Sequence, residues 1–265
     1  MKAKLTEAKF RPALGRVGQL CSRVVWLAAL ILICSGASAQ NMFVSGTDTR
    51  GGEIFKFSWD GKQSIFASGL YKPWDMAFDS AGNLFVADYD NGIICQYKPS
   101  GSRATFASGL NHPVGVALNS AGNLWVADNS IGNIYQGSIY RYKPDGSRVT
   151  IAVLNAGDRP ADLALDGIGN LYMGDLGGKV YRYALSGVLR RYSRTTFGSV
   201  PNSAQSLAFD GAGNLFVADA GDANGNGNAI YKFTAQGVRS IFAPVVDGVG
   251  ESFACLAFQP IPCCQ

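Results

Sequence analysis

Asp75 and Asp162 are the residues of this sequence with the clearest potential for chemistry. Each stands two residues after a proline at the start of a predicted strand, in the segments P-W-D-M-A-F-D and P-A-D-L-A-L-D. Related segments elsewhere in the chain carry other residues at this position, so structural repetition accounts for these two less well. Carboxylates gathered at one opening would attract a divalent cation or a cationic ligand, and the alternative is a structural role.

A second set of aspartates closes a block that recurs four times, as G-N-L-F-V-A-D and close variants. An aspartate repeated at one position usually accepts hydrogen bonds from backbone N–H groups in the following turn. The alternative is an acidic rim that attracts a cation. The four residues are Asp88, Asp128, Asp175 and Asp219.

A glycine-rich segment after the last of these blocks is a candidate calcium loop. It contains D-A-N-G-N-G, which fits the first half of a calcium-binding loop, with oxygen side chains at alternate positions. Phe233 stands where such a loop has its bidentate glutamate. A flexible loop without a metal is therefore the alternative. The candidate ligands of Ca²⁺ or another divalent cation are Asp219, Asp222, Asn224, Asn226 and Asn228.

We expect three more side chains, Trp74, His112 and Gln205, to lie at the same opening as Asp75 and Asp162. Trp74 would form an apolar wall there or pack between structural units, and His112 would bind a ligand or serve as a hydrogen-bonded loop residue. The sequence has one histidine, which disfavours catalysis by a histidine pair. The G-x-S-x-G, P-loop and H-E-x-x-H motifs are absent. No catalytic residue is therefore assigned.

A repeat of 40 to 47 residues positions all of these side chains, as the spacings of the four block-closing aspartates show. Each repeat contains four segments of four to eight residues, rich in Val, Phe, Tyr and Leu. Gly, Asp, Asn and Pro separate the segments, which is the signature of short antiparallel strands joined by turns. Four such strands form one blade of a β-propeller. The predicted fold class is all-β.

The two ends of the chain supply one further blade. Residues 253–259 match a first strand, and residues 41–68 match the second, third and fourth strands. Pairing of these terminal segments would close the ring and remove its exposed edges. The count is then five blades, and a six-bladed ring is the alternative. The start of each first strand and the end of each second strand would surround one mouth of the central channel, the top face.

The repeat resembles the NHL repeat, through P-x-x-[VLM]-A-[FL]-D-x-x-G-N-L-[FWY]-V-A-D. It also resembles the propellers around the SMP-30/gluconolactonase and strictosidine-synthase families. The resemblance covers residues 41–259 and is specific for architecture, since these families share blades and differ in their sites. An SMP-30-like lactonase would hold one divalent metal at the inner rim. The glutamates of the mature chain, Glu53 and Glu251, fall outside the inner strands, which departs from that pattern.

The N-terminal region is predicted to be a cleaved export signal. Residues 1–40 carry six of the 23 basic side chains and one of the 19 acidic ones, followed by an eleven-residue apolar run from Val24 and by Ala37-Ser38-Ala39. The division is a signal peptide over 1–39, a propeller over 40–260 and a tail over 261–265. Residues 41–265 carry 17 basic and 18 acidic side chains. This near balance of charge argues against nucleic acid as a partner.

Export places the mature cysteines in an oxidising compartment. Cys255 with Cys263 or Cys264 would form a local clasp near the C-terminus. Cys95 lies in a predicted strand and is expected to be a small buried apolar residue.

Two functions follow from these features. The first is an exported, periplasmic or extracellular propeller that binds a protein, peptide or glycan on its top face, as a monomer that is free of the membrane after signal cleavage. The second is a metal-dependent hydrolase of the lactonase type that uses Asp75 and Asp162.

Overall fold

The computed structural model describes residues 41–48, 51–58, 62–129, 137–186, 191–221 and 229–244. These residues form strands and turns, and none belongs to a helix long and apolar enough to cross a membrane. In chain order the strands are β1 (Met42–Asp48), β2 (Gly51–Phe57), β3 (Gln63–Leu70), β4 (Pro73–Phe78), β5 (Leu84–Asp88), β6 (Ile93–Tyr97), β7 (Arg103–Ala107), β8 (His112–Leu118), β9 (Leu124–Asn129), β10 (Ser138–Tyr142), β11 (Arg148–Val153), β12 (Pro160–Leu165), β13 (Leu171–Asp175), β14 (Lys179–Ser186), β15 (Arg191–Ser199), β16 (Ala204–Phe209), β17 (Leu215–Asp219), β18 (Ala229–Phe233) and β19 (Arg239–Pro244).

The strands form five antiparallel sheets, which confirms the predicted β-propeller with five blades. Four sheets have four strands each: β4–β7 is blade I, β8–β11 blade II, β12–β15 blade III and β16–β19 blade IV. Blade V contains β1–β3 in the described part of the chain. The segment expected to complete it, 253–259, lies outside the described residues, so the closure of the ring stays a prediction.

The first strands of blades I to IV line the axis of the propeller. β4 packs against β8, β8 against β12, and β12 against β16, while β1 and β2 of blade V contact β4. In blades I to IV each second strand is buried from its leucine to its aspartate, since both of its faces lie against neighbouring blades. Each fourth strand lies at the outside and carries mostly exposed or half-buried side chains. The arrangement brings the starts of the first strands together at one end of the molecule.

The turn between the first two strands of a blade explains the repeated Gly-Asn pair. In blade I, Oδ1 of Asp79 accepts hydrogen bonds from the backbone N of Ala81 at 2.9 Å and of Asn83 at 2.8 Å, and Oδ2 accepts from Nδ2 of Asn83 at 2.7 Å. Gly82 has φ +79°, a left-handed conformation that glycine adopts as readily as the right-handed one because it has no Cβ. The carboxylate thus replaces the backbone partners that a turn lacks.

A bulge recurs on the fourth strand of every blade, and we call the extra residue the wedge residue. In blade I, Ile94 pairs with Ala107 and Cys95 with Thr105, so Phe106 is left over and turns between the blades. The Phe106 ring lies 5.0 Å from Phe85 of its own blade and 5.8 Å from Tyr142 of the next one. The wedge residues are Phe66, Phe106, Ile151, Phe197 and Phe242.

Some predictions about the chain ends fall on residues that the structure does not describe. The signal peptide over 1–39, the tail over 261–265 and the clasp of Cys255 with Cys263 or Cys264 all lie there. Cys95 is described: it is buried on β6, and its Sγ accepts a hydrogen bond from Nη2 of Arg103 at 3.2 Å. Burial raises the pKa of this thiol, in line with the expected small, apolar role.

Candidate functional site

The aspartates that end the second strands are buried and hold the segments that enter the first strands. Oδ1 of Asp88 accepts hydrogen bonds from the backbone N of Tyr71 at 2.8 Å and of Lys72 at 3.3 Å. Oδ1 of Asp128 accepts from the backbone N of Asn111 at 2.9 Å and of His112 at 2.8 Å. These donors lie where the chain enters the first strand of the same blade, whereas the sequence predicted donors in the turn that follows the aspartate.

The same bonds recur in the other two four-stranded blades. Oδ2 of Asp175 accepts from the backbone N of Arg159 at 2.6 Å. Oδ1 of Asp219 accepts from the backbone N of Ser203 at 2.9 Å. Both carboxylates also accept a bond from a glycine two residues later, in the following turn. The repeated aspartates therefore fix the backbone of the rim on which other side chains stand.

Asp75 and Asp162 lie on the inner strands β4 and β12 and are buried in the channel wall, with 9% and 7% of their surfaces exposed. Oδ2 of Asp75 accepts a hydrogen bond from the backbone N of Val116 in blade II at 2.7 Å. Oδ2 of Asp162 accepts from the backbone N of Leu207 at 2.8 Å and from Oγ of Ser206 at 3.0 Å, both in blade IV. Each carboxyl group thus joins its own blade to the next one.

The two carboxyl groups are also hydrogen-bonded to each other, across blade II. Gly115 occupies the matching position of that blade and has no side chain to separate them. A Cβ at this position would lie 3.0 Å from the backbone N of Leu163 and 3.1 Å from Cα of Asp162, closer than ordinary contacts. The glycine therefore lets the inner strands of blades II and III approach closely and leaves room for the carboxyl pair.

The two carboxyl groups influence each other's ionisation. Burial raises the pKa of Asp75 well above its ordinary value, and the neighbouring charge of Asp162 raises it further. Burial also raises the pKa of Asp162, to about 6. Two carboxylates in contact cannot both ionise easily, so the pair holds a proton more readily than an isolated carboxyl group does.

These two residues do not form a metal centre with the side chains around them. Their oxygen atoms already accept bonds from four backbone N–H groups and one hydroxyl. Within the described ranges, no group of three or more His, Cys, Asp or Glu side chains is placed to hold an ion. A divalent cation needs more oxygen ligands than this pair supplies. The described residues do not fit the inner-rim metal of an SMP-30-like lactonase.

Three aromatic rings, those of Trp74, Tyr89 and His112, lie on the rim next to the carboxyl pair, and the side chain of Lys72 packs on two of them. We call these four residues the rim aromatic cluster. The Trp74 and Tyr89 rings stack with centroids 4.9 Å apart and planes 25° apart. The Tyr89 ring lies 4.6 Å from the His112 ring of blade II. Nζ of Lys72 lies 4.9 Å from the Tyr89 centroid and 5.5 Å from the Trp74 centroid. All four residues are half-buried.

The strand-end aspartates position this cluster through the backbone. Asp88 fixes the backbone of Lys72, and Asp128 fixes that of His112. Sequence reasoning identified Trp74 and His112 but missed Tyr89 and Lys72. A signal for Tyr89 was available, because the residues that follow the other three strand-end aspartates are Asn129, Leu176 and Ala220.

Two of the remaining predicted site residues, Gln205 and Asp219, are described by the structure and are not part of the rim aromatic cluster. Gln205 lies on β16 in blade IV, half-buried, and its backbone N donates to the carbonyl O of Ser203 at 3.0 Å. Asp219 uses its carboxylate for backbone N–H groups, as described above. The other four candidate calcium ligands, in residues 222–228, lie outside the described residues, so a calcium site there stays a prediction.

The comparisons with known proteins agree with this architecture. The family model of the NHL repeat matches residues 110–130, and that of the strictosidine synthase-like N-terminal region matches residues 147–183. No curated protein matches the chain. The predicted resemblance to NHL-repeat propellers is therefore confirmed at the level of the repeat.

Solved structures with the same fold have diverse functions. A gluconolactonase from Xanthomonas campestris is 16% identical with a TM-score of 0.64, over 83% of this chain and 88% of that chain. A chain of a nidogen/laminin complex is 22% identical with a TM-score of 0.62, over 76% of both chains. Virginiamycin B lyase from Staphylococcus aureus is 17% identical with a TM-score of 0.61, over 85% and 75%. At these identities the likeness shows the fold alone.

Proposed function

We propose that this protein is an exported binding module that recognises a glycan or peptide on the top face of its propeller. The rim aromatic cluster carries the proposal. Stacked aromatic rings present apolar edges and faces to a sugar ring or an apolar side chain, and Lys72 adds a positive charge beside them. The rings stand on a backbone that buried aspartates fix, so little ordering is needed when a ligand binds.

The variation between blades supports recognition at this place. The position of Trp74 holds Val114, Ala161 and Gln205 in the next three blades. At this position the aromatic side chain therefore lies where blades I and II meet, while the strand-end aspartates recur in blades I to IV. Binding proteins place their specific contacts on such variable rim positions of a rigid scaffold. The near-neutral mature chain favours neither nucleic acid nor a charged membrane surface.

The test is a binding screen of the purified protein against a glycan panel and a peptide library, followed by titration of the hits. Trp74→Ala removes the largest ring of the cluster and is expected to weaken binding by about tenfold or more. Phe242→Ala is the matched control, because Phe242 is an exposed aromatic on β19 in blade IV. Equal affinity of wild type and Trp74→Ala for every hit would contradict the proposal.

Metal-dependent hydrolysis is the second candidate. The gluconolactonase fold and the meeting of Asp75 with Asp162 favour it, and the lack of a fitting ligand set among the described residues weighs against it. A panel of lactones and esters, assayed with and without added divalent cations, separates the two functions. If the wild type hydrolyses a lactone or ester and the double variant Asp75→Asn with Asp162→Asn does not, the protein is an enzyme and not only a binding module. Lack of turnover under all conditions would leave the binding module.

A further inference from the structure

We propose that the outer cleft between blades II and III is a second binding site, for a small molecule with an aromatic ring and a carboxylate or sulfonate group. The cleft has a volume of about 410 Å³, within the range of ligand pockets. It lies at the periphery of the propeller and shares no residue with the rim aromatic cluster. Its walls come from the third and fourth strands of both blades, through Arg141, Ile151, Leu185, Arg191 and Tyr192.

The wedge residue explains why this interface differs from others. Phe66, Phe106 and Phe197 each lie 5.8 to 5.9 Å from an aromatic ring of the next blade. In blade II the wedge residue is Ile151, which has no ring. Trp125 of the same blade is buried in this interface. The cleft lies beside Ile151. The interface between blades II and III therefore lacks the aromatic wedge that those three interfaces have.

The charges of the cleft select an anion. Arg141 and Arg191 line it, while its other lining side chains carry no charge. Within the described part of the chain, Arg141 pairs with no carboxylate, and its buried Nε has no hydrogen-bond partner. The guanidinium group of Arg141 in this mostly apolar cleft would bind a carboxylate or sulfonate through charge-assisted hydrogen bonds, and Arg191 adds positive charge to the lining. Leu185 and Tyr192 supply apolar surface for a ring, in place of the missing wedge.

The probe for this site is 8-anilinonaphthalene-1-sulfonate, an anionic aromatic molecule whose fluorescence rises in apolar surroundings. N-phenyl-1-naphthylamine has related rings without the sulfonate and tests the requirement for charge. We expect saturable binding of the sulfonate at one site and binding of the neutral amine that is weaker by about tenfold. Equal affinity for both probes would overturn the assignment of an anion site.

Two substitutions, each with a control, locate the bound probe. Ile151→Phe restores the aromatic wedge and is expected to weaken binding by about tenfold or more, because the ring occupies the cleft. Val153→Phe adds the same ring at an exposed position of β11 that does not line the cleft, and it should bind as the wild type does. Arg141→Gln should weaken binding of the sulfonate by about tenfold. Arg148→Gln is its control, since Arg148 stacks on Tyr140 with its Cζ 4.5 Å from the ring centroid.

Thermal melting of each variant shows whether it is folded. If Arg141→Gln is not folded, Arg191→Gln is tested in its place. Unchanged binding in Ile151→Phe and in the arginine variants would overturn the proposal, and so would the lack of saturable binding to the wild type. Dimerisation at high concentration that Ile151→Phe abolishes would assign the cleft to a second copy of the chain instead.

Discussion

The strand-end aspartates and the carboxyl pair of Asp75 and Asp162 are both buried and both accept backbone N–H groups, but they connect different parts of the propeller. The strand-end set binds segments of its own blade and recurs in four blades. The pair binds the next blade and occurs at two of the inner-strand positions, with Gly115 between them in blade order. Repeated residues thus complete each repeat, whereas unrepeated residues adapt the contacts between repeats.

The largest expected effect is the loss of a strand-end aspartate. Asp88→Ala leaves the backbone N–H groups of Tyr71 and Lys72 without their acceptor. We expect it to lower the free energy of unfolding by about 3 kcal/mol, measured by urea denaturation. Asp90→Ala, two residues away and exposed, should change it by less than about 0.5 kcal/mol. Similar effects of the two variants would show that the strand-end bonds contribute little.

A smaller effect is expected from a side chain at Gly115. Gly115→Ala brings a Cβ within 3.1 Å of the backbone of blade III, and the inner strands must move apart. The expected destabilisation is about 1–3 kcal/mol. Gly167→Ala is the control, because nothing lies within 4 Å of a Cβ there and its φ is not positive. If Gly115→Ala is as stable as the wild type, blades II and III do not depend on this close contact.

The smallest effect concerns pH. Folding raises the pKa of both carboxyl groups of the pair, so above pH about 4 the folded chain binds more protons than the unfolded one. The stability that the pair contributes is present below pH 4 and is lost as the pH rises through about 6. Asp75→Asn cannot ionise and can still donate a hydrogen bond to Asp162, so we expect a shallower decline.

Unfolding free energies measured between pH 4 and pH 8 check this difference. The fall across that interval should be smaller in Asp75→Asn by about 1–2 kcal/mol. Asp90→Asn should follow the wild-type curve, because that carboxylate is exposed. Parallel curves for Asp75→Asn and the wild type would mean that the two carboxyl groups do not influence each other's ionisation.

The sequence predicted the blades well, because glycine, asparagine and aspartate recur at fixed places where turns need them. It also distinguished Asp75 and Asp162 from the repeated aspartates. It did not show that the two would meet, since this depends on the missing side chain of Gly115 and on the depth of the inner strands. Tyr89 and His112 are 23 positions apart, and only the contact between blades brings their rings together. The wedge residue depends on a strand register that composition does not reveal.

The two kinds of aspartate bond also differ in how far apart their partners lie along the chain. The strand-end bonds of blades I and II join residues 16 or 17 positions apart. The bonds from Asp75 to Val116 and from Asp162 to Leu207 span 41 and 45 positions. Short loops cost less entropy to close than long ones. The strand-end bonds therefore close short loops within one blade, whereas the carboxyl pair requires three consecutive blades to be docked against one another.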